Sequence, residues 1–231
     1  MISDQAFILH KRVYQDSSEL IKLFTENHGV FDVVAKGSRR PKSKLNGQLQ
    51  PFNLTQVNWV GKSALKTLVD AEQYEVIQRC AYKNHVSMLY CNELLSLIKF
   101  DASISKSVFR AYQRTIKLLR HTDAMKMVLR RFEWHLCCQL GYQLQIPNQC
   151  EEVDLLQFDP VNGLVVYDLT QNPNKKHACT ALSFRKFIES EHMSGNEINQ
   201  ISSLMRVVIN HLVNGKSIQS RQLLKTNLAS K

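Results

Sequence analysis

Residues 30–60, VFDVVAKGSRRPKSKLNGQLQPFNLTQVNWV, set a basic loop between two runs that read as β-strands. VFDVVA and PFNLTQVNWV are rich in β-branched and aromatic side chains, the composition that suits a pleated, half-buried surface. Between them Lys36, Arg39, Arg40, Lys42 and Lys44 place five positive charges within nine positions, with no acid among them. Gly37 and Pro41 break regular structure, so the sequence predicts a flexible, strand-connecting loop.

Working outward, three more runs have the same texture: QAFILHKRVY (5–14), SELIKLFTE (18–26) and ALKTLVDAEQYEV (64–76). Turn-forming stretches separate them at Asp16-Ser17-Ser18, Asn27-His28-Gly29 and Gly61-Lys62-Ser63. Five strands in about 78 residues suit a small closed barrel, which leaves no exposed edge. The OB-fold is the five-stranded barrel most used on nucleic acids.

After residue 78 the hydrophobic period changes. In residues 83–99, Val86, Leu89, Tyr90, Leu94, Leu97 and Ile98 recur at helical spacing. In 103–121, Val108, Ala111, Tyr112, Thr115, Ile116, Leu118 and Leu119 share one side, opposite Lys106, Arg110, Arg114, Lys117 and His121. In 124–140, Val128, Leu129, Phe132, Leu136 and Leu140 form a stripe, with Gly141 placed for a left-handed cap. The last third mixes a short strand, LVVYDL (164–169), with helices at 183–192 and 196–213. The predicted class is therefore α+β: an OB-fold barrel over 1–78, then a helical domain over 79–231 with a β-containing insertion at about 146–182.

Charge narrows the function. The chain carries 30 Lys and Arg against 20 Asp and Glu, for a net charge of +10. Residues 79–150 alone hold a net +7, the first 78 a net +2 and the rest a net +1. Such a balance points to a polyanionic partner, nucleic acid or an anionic surface. No apolar run reaches the roughly 20 residues that span a bilayer, and the N-terminus lacks the pattern of a signal peptide. A cytoplasmic protein is expected. Its six cysteines contain no C-x-x-C pair and read as buried thiols.

Enzyme signatures are missing: no phosphate-binding G-x-x-x-x-G-K-[ST], no G-x-S-x-G, no H-E-x-x-H. No catalytic role and no cofactor are expected. The basic loop is a stronger lead. Five like charges repel one another, and a phosphate backbone relieves that repulsion while releasing counterions. The bland reading is a polar surface loop. The stripe Lys106, Arg110, Arg114 and Lys117 is judged alike, because exposed helix faces gain from mixed signs; its alternative is pairing with acids from elsewhere in the fold. Tyr14, Phe31, Phe52 and Trp59 could stack on bases, with core packing as the competing role.

Beyond these readings, the order AFILHKR, SSELIKLFTENHG and VVAKGSRRPKSKLNGQLQPF resembles the RecO family of bacterial recombination mediators. The resemblance continues through LYCNELL (89–95), LRRFEWHLCCQLGYQL (129–144) and GKSIQSRQLL (215–224). It implies an OB-fold on a helical domain, binding of single- and double-stranded DNA, and annealing of strands coated by the single-stranded DNA-binding protein. It also implies RecA loading with the partner RecR, and a cytoplasmic, nucleoid-associated location. Some members capture the acidic, Phe-ending tail of the single-stranded DNA-binding protein. The L-R-R-F motif makes Arg130 the implied contact, with Arg131 and Lys126 beside it. Some members bind zinc through two C-x-x-C pairs; here Cys150 and Cys179 stand alone, with Val153 and Lys176 where second ligands would be. Two thiolates are too few for structural zinc, so no metal is expected. Without the resemblance, an RNA-binding OB module fits charge and fold equally well, and a nuclease is disfavoured by the lack of clustered carboxylates.

Overall fold

A run such as Ala6-Phe7-Ile8-Leu9, apolar at consecutive positions, suits a strand buried on both faces. That is how it is used. The computed structural model describes residues 1–75, 80–142, 144–168 and 177–226. In it β1 (Ile2–Tyr14), β2 (Ser18–Thr25), β3 (Gly29–Ala35), β4 (Leu54–Val60) and β5 (Leu65–Glu75) close into a barrel of order β1-β2-β3-β5-β4. Closure comes from a parallel pairing of β3 with β5, Asp32 opposite Leu65 through Ala35 opposite Leu68. All five expected strands are present.

Successive strand side chains face opposite ways. Ala6 and Ile8 of β1, Ile21 and Leu23 of β2, Val33 of β3, Val57 and Trp59 of β4 and Leu68 of β5 fill the barrel. Phe7 and Phe24, on the outer faces of β1 and β2, are covered by helix. Phe7 lies 5.1 Å from Phe109 and 4.9 Å from Tyr112, while Phe24 lies 5.3 Å from Phe109. These rings hold α2 (Ser105–Leu119) to the barrel, and α1 (Tyr82–Leu97) packs on β1 beside it. The register of β1 on β2 slips between Ile8 and His10, a bulge of the kind that leaves backbone groups unpaired. The Asn92 amide of α1 donates to the Leu9 carbonyl at 3.0 Å, and the Tyr112 hydroxyl donates to the Asn92 side-chain oxygen.

Helix α2 departs from its expected stripe in two places: Leu118 is exposed, and Phe109 is buried among the barrel's aromatics. A wheel cannot know that the partner is a curved sheet whose rings reach round to position 109. A short α6 (Ser220–Thr226) packs on α1. The Glu93 carboxylate accepts from the Gln219 and Ser220 amides at 2.6 and 2.9 Å.

By packing, the chain forms two units: one from Met1 to Thr122 plus the residues from Ile218 onward, the other Asp123–Ser217. The second contains α3 (Met125–Gln139), α4 (Ala181–Glu189) and α5 (Gly195–Leu212). It also contains a small sheet of order β7-β6-β8, from β6 (Leu155–Asp159), β7 (Gly163–Val166) and β8 (Cys179–Thr180). The expected strand at 164–169 is β7, and its partner β6 escaped the sequence reading. Gly141 adopts φ +82° and caps α3 as expected: its N–H donates to Cys138 and that of Tyr142 to Cys137. The boundary at 78/79, Leu169, the Asn172-Pro173-Asn174 turn, Lys176 and the tail from 227 lie outside the described residues.

Ser194 and Glu197 form a capping box at the start of α5. The Lys186 ammonium, then the Ser194 amide, hold the Glu197 carboxyl at about 2 instead of 4.5. A depressed carboxyl stabilises the fold above its unfolded value and loses that contribution as pH falls through its folded value. The melting-temperature difference between wild type and Glu197→Gln is therefore full at neutral pH, shrinks below about 4.5 and vanishes near 2.

Candidate nucleic-acid interface

The basic loop enters the barrel end as a chain of tight turns, not as a flexible tether. Backbone bonds link Arg40 to Gly37, Ser43 to Arg40, Asn46 to Ser43 and Gln48 to Leu45, at 2.9 to 3.2 Å. Leu45 and Leu49 then join the barrel core at 7% and 1% exposure. The Gln73 side chain of β5 donates to the carbonyls of Gly47 and Gln48 at 2.8 and 2.6 Å. On the other side the Arg39 amide donates to the Ser17 carbonyl at 3.0 Å, its guanidinium to the Asp16 carbonyl at 3.2 Å, and Ser38 Oγ to Glu19 at 2.8 Å. The sequence missed these anchors because Leu45 and Leu49 are isolated among polar residues.

What the anchoring leaves outside is charge. Lys36, Arg39, Arg40, Lys42 and Lys44 are all exposed, and among the described residues none forms an ion pair. Arg12, exposed on the hairpin that Arg39 grips, is a further cation in this region, signalled only by the His10-Lys11-Arg12 run. Of the stacking candidates, Trp59 and Phe52 are buried and belong to the core. Phe31 is half-buried with the Lys66 ammonium 4.6 Å from its ring centre, and Tyr14 is half-buried.

Helix α2 does present its stripe to solvent: Lys106, Arg110, Arg114 and Lys117 are all exposed. The two nearest its N-terminus have an acidic neighbour, since Glu26 lies 3.8 Å from both the Lys106 ammonium and the Arg110 guanidinium.

In the second unit the three cations of the 126–131 segment have different fates. Arg130 is turned inward. It pairs with Glu133, which is fully buried, and donates to the Ser202 carbonyl at 3.3 Å. Arg131 is half-buried, its guanidinium 4.5 Å from the centre of the Phe187 ring. Lys126 is exposed and donates to Asn199 at 2.8 Å, at the rim of a groove of about 350 Å³ lined by Met125, Met127 and Ile198. Cys150 is partly exposed and Cys179 buried, its thiol pushed up to about 12 by burial. Among the described residues no cluster of three or more His, Cys, Asp and Glu could hold a metal. No described helix is long and apolar enough to cross a membrane.

A barrel with a basic lid, followed by these helices, agrees with two family models: "Recombination protein O N terminal" over residues 1–77 and "Recombination protein O C terminal" over 81–153. The chain belongs to the RecO family. The DNA repair protein RecO of Marinobacter nauticus is 31% identical over 95% of this chain and 92% of its own length. That of Proteus mirabilis is 28% identical over 96% and 91%, and that of Hamiltonella defensa 40% identical over 60% and 59%. This RecO-family protein thus has an OB-fold barrel and a helical region with a small sheet.

Removing one partner of a buried ion pair undercompensates the other charge, at a cost of up to about 3–5 kcal/mol. Arg130→Ala is expected to lower the denaturation midpoint accordingly. Arg130→Met combined with Glu133→Leu should restore most of the loss. An unchanged midpoint in the single variant would show the pair to be dispensable.

Proposed function

We propose that this RecO-family protein is a recombinational DNA repair mediator without bond-making chemistry. It binds single- and double-stranded DNA, anneals complementary strands coated by the single-stranded DNA-binding protein, and with RecR promotes RecA loading in the cytoplasm, at the nucleoid. One observation carries the DNA-binding reading: five exposed cations without ion pairs among the described residues, held on a loop whose leucines are part of the barrel core. An anchored loop carries its charges with little ordering cost on binding, and each phosphate neutralised releases counterions.

Annealing requires two polyanions to approach. The loop 36–44 and the α2 stripe, Lys106, Arg110, Arg114 and Lys117, supply phosphate contacts for this. The barrel of residues 1–78 grips the strand, and the helical segment 79–231 takes the partner's acidic tail. The groove beside Lys126 suits that tail chemically: methionine and isoleucine accept an aromatic ring and the ammonium meets carboxylates. Arg131 lies next along α3, and Arg130 acts from behind by tying α3 to the Ser202 carbonyl of α5.

The test is annealing of oligonucleotides precoated with the cognate single-stranded DNA-binding protein, intact or lacking its tail. Annealing should depend on the tail. The variant Arg39→Ala, Arg40→Ala, Lys42→Ala and Lys44→Ala should bind naked single-stranded DNA more weakly, with the slope of log affinity against log salt flattened by about 2–3. Annealing without tail dependence would remove the partner site, and an unchanged slope would remove the loop.

A further inference from the structure

Glu26 occupies an unusual place for an acid in so basic a protein. It sits in the β2–β3 turn, 3.8 Å from both Lys106 and Arg110, while α2 has no acid in its own first turn. The placement is fixed from both sides. The Glu26 amide donates to the Gln5 carbonyl at 2.9 Å. Asp4, almost fully buried, accepts from the Asn27 amide and side chain at 2.9 and 2.8 Å. Ser105, at the start of α2, donates to the Thr25 carbonyl at 2.8 Å and accepts from the Gly29 amide at 3.1 Å. The turn and the helix start are thus locked together around this one carboxylate.

Its contacts with the two cations are nevertheless loose. At 3.8 Å they exceed hydrogen-bonding distance, and the cations are exposed, so the attraction is screened and worth little. A carboxylate held this way offers negative charge without saturating its partners. A phosphate, with more acceptor oxygens, outcompetes it.

We propose that Glu26 is a resident competitor for DNA phosphate on the N-terminal half of the α2 stripe. It weakens the hold of Lys106 and Arg110 on a strand and keeps that contact exchangeable, as strand transfer during annealing requires. The inference rests on the reading of α2 as a phosphate-contacting surface. It adds that an acid on the barrel tunes that surface.

The experiment measures fluorescence anisotropy of a labelled oligothymidylate across a salt series. It compares wild type, Glu26→Gln, Lys106→Ala with Arg110→Ala, and the triple combination. Glu26→Gln should bind roughly two- to fivefold tighter at low salt, with a slope steeper by about 0.7. The gain should vanish in the triple variant. A thermal melt of Glu26→Gln should show equal or lower stability, so tighter binding cannot come from a better fold. If Glu26→Gln matches wild type while the Lys106 and Arg110 variant is weakened, the stripe stands and the competitor role falls. If the Lys106 and Arg110 variant binds like wild type, the stripe reading itself falls, and this inference with it.

Discussion

The first unit depends on burying β1 and β2 from both sides. A barrel alone would leave Phe7 and Phe24 on its outer wall. The rings of Phe109 and Tyr112 cover them, at centroid distances between 4.9 and 6.0 Å. Aromatic pairs of this kind add directional preference to the hydrophobic gain, so α2 is held in one orientation. That orientation turns its basic stripe to solvent and brings its first turn against Glu26. Shape, charge display and restraint all follow from one aromatic cluster.

The loop at the barrel end obeys a related logic. Its cations would gain nothing from folding by themselves. Leu45 and Leu49 give it a hydrophobic reason to be ordered, and Gln73 satisfies carbonyls that the turns leave open. If Leu49 were shortened to alanine, about 2–5 kcal/mol would be lost by the usual cost of a core truncation, and the charges would lose their platform. Ordering and charge display are thereby coupled through an apolar residue of the barrel core.

Much of this was legible in the sequence. Five strands follow from five β-branched runs with turn residues between them, and Gly141 marks the end of α3 because only a left-handed residue closes that turn. Less legible were features set by partners distant in the chain. Leu118 reads as core on a wheel and is exposed, because the surface it would need to face is occupied around Phe109 instead. Arg130 is the tail contact implied by the resemblance, and only packing shows it paired with Glu133, three residues along the same helix. Trp59 and Phe52 could be read as base stackers with core packing the favoured role, and packing made both core, Trp59 inside the barrel and Phe52 against His85. A periodicity specifies a face, whereas the identity of what covers that face belongs to tertiary structure.

The return of α6 to α1 has a consequence in time. The first unit is discontinuous, since residues 123–217 intervene between its two parts. The Glu93 carboxylate that receives the Gln219 and Ser220 amides is made by the ribosome well over a hundred residues before them. At synthesis rates of about 5–20 residues per second, the barrel and its first two helices exist for several seconds with that carboxylate waiting. Completion of the unit is then a late docking step, one that must wait until Asp123–Ser217 has been made.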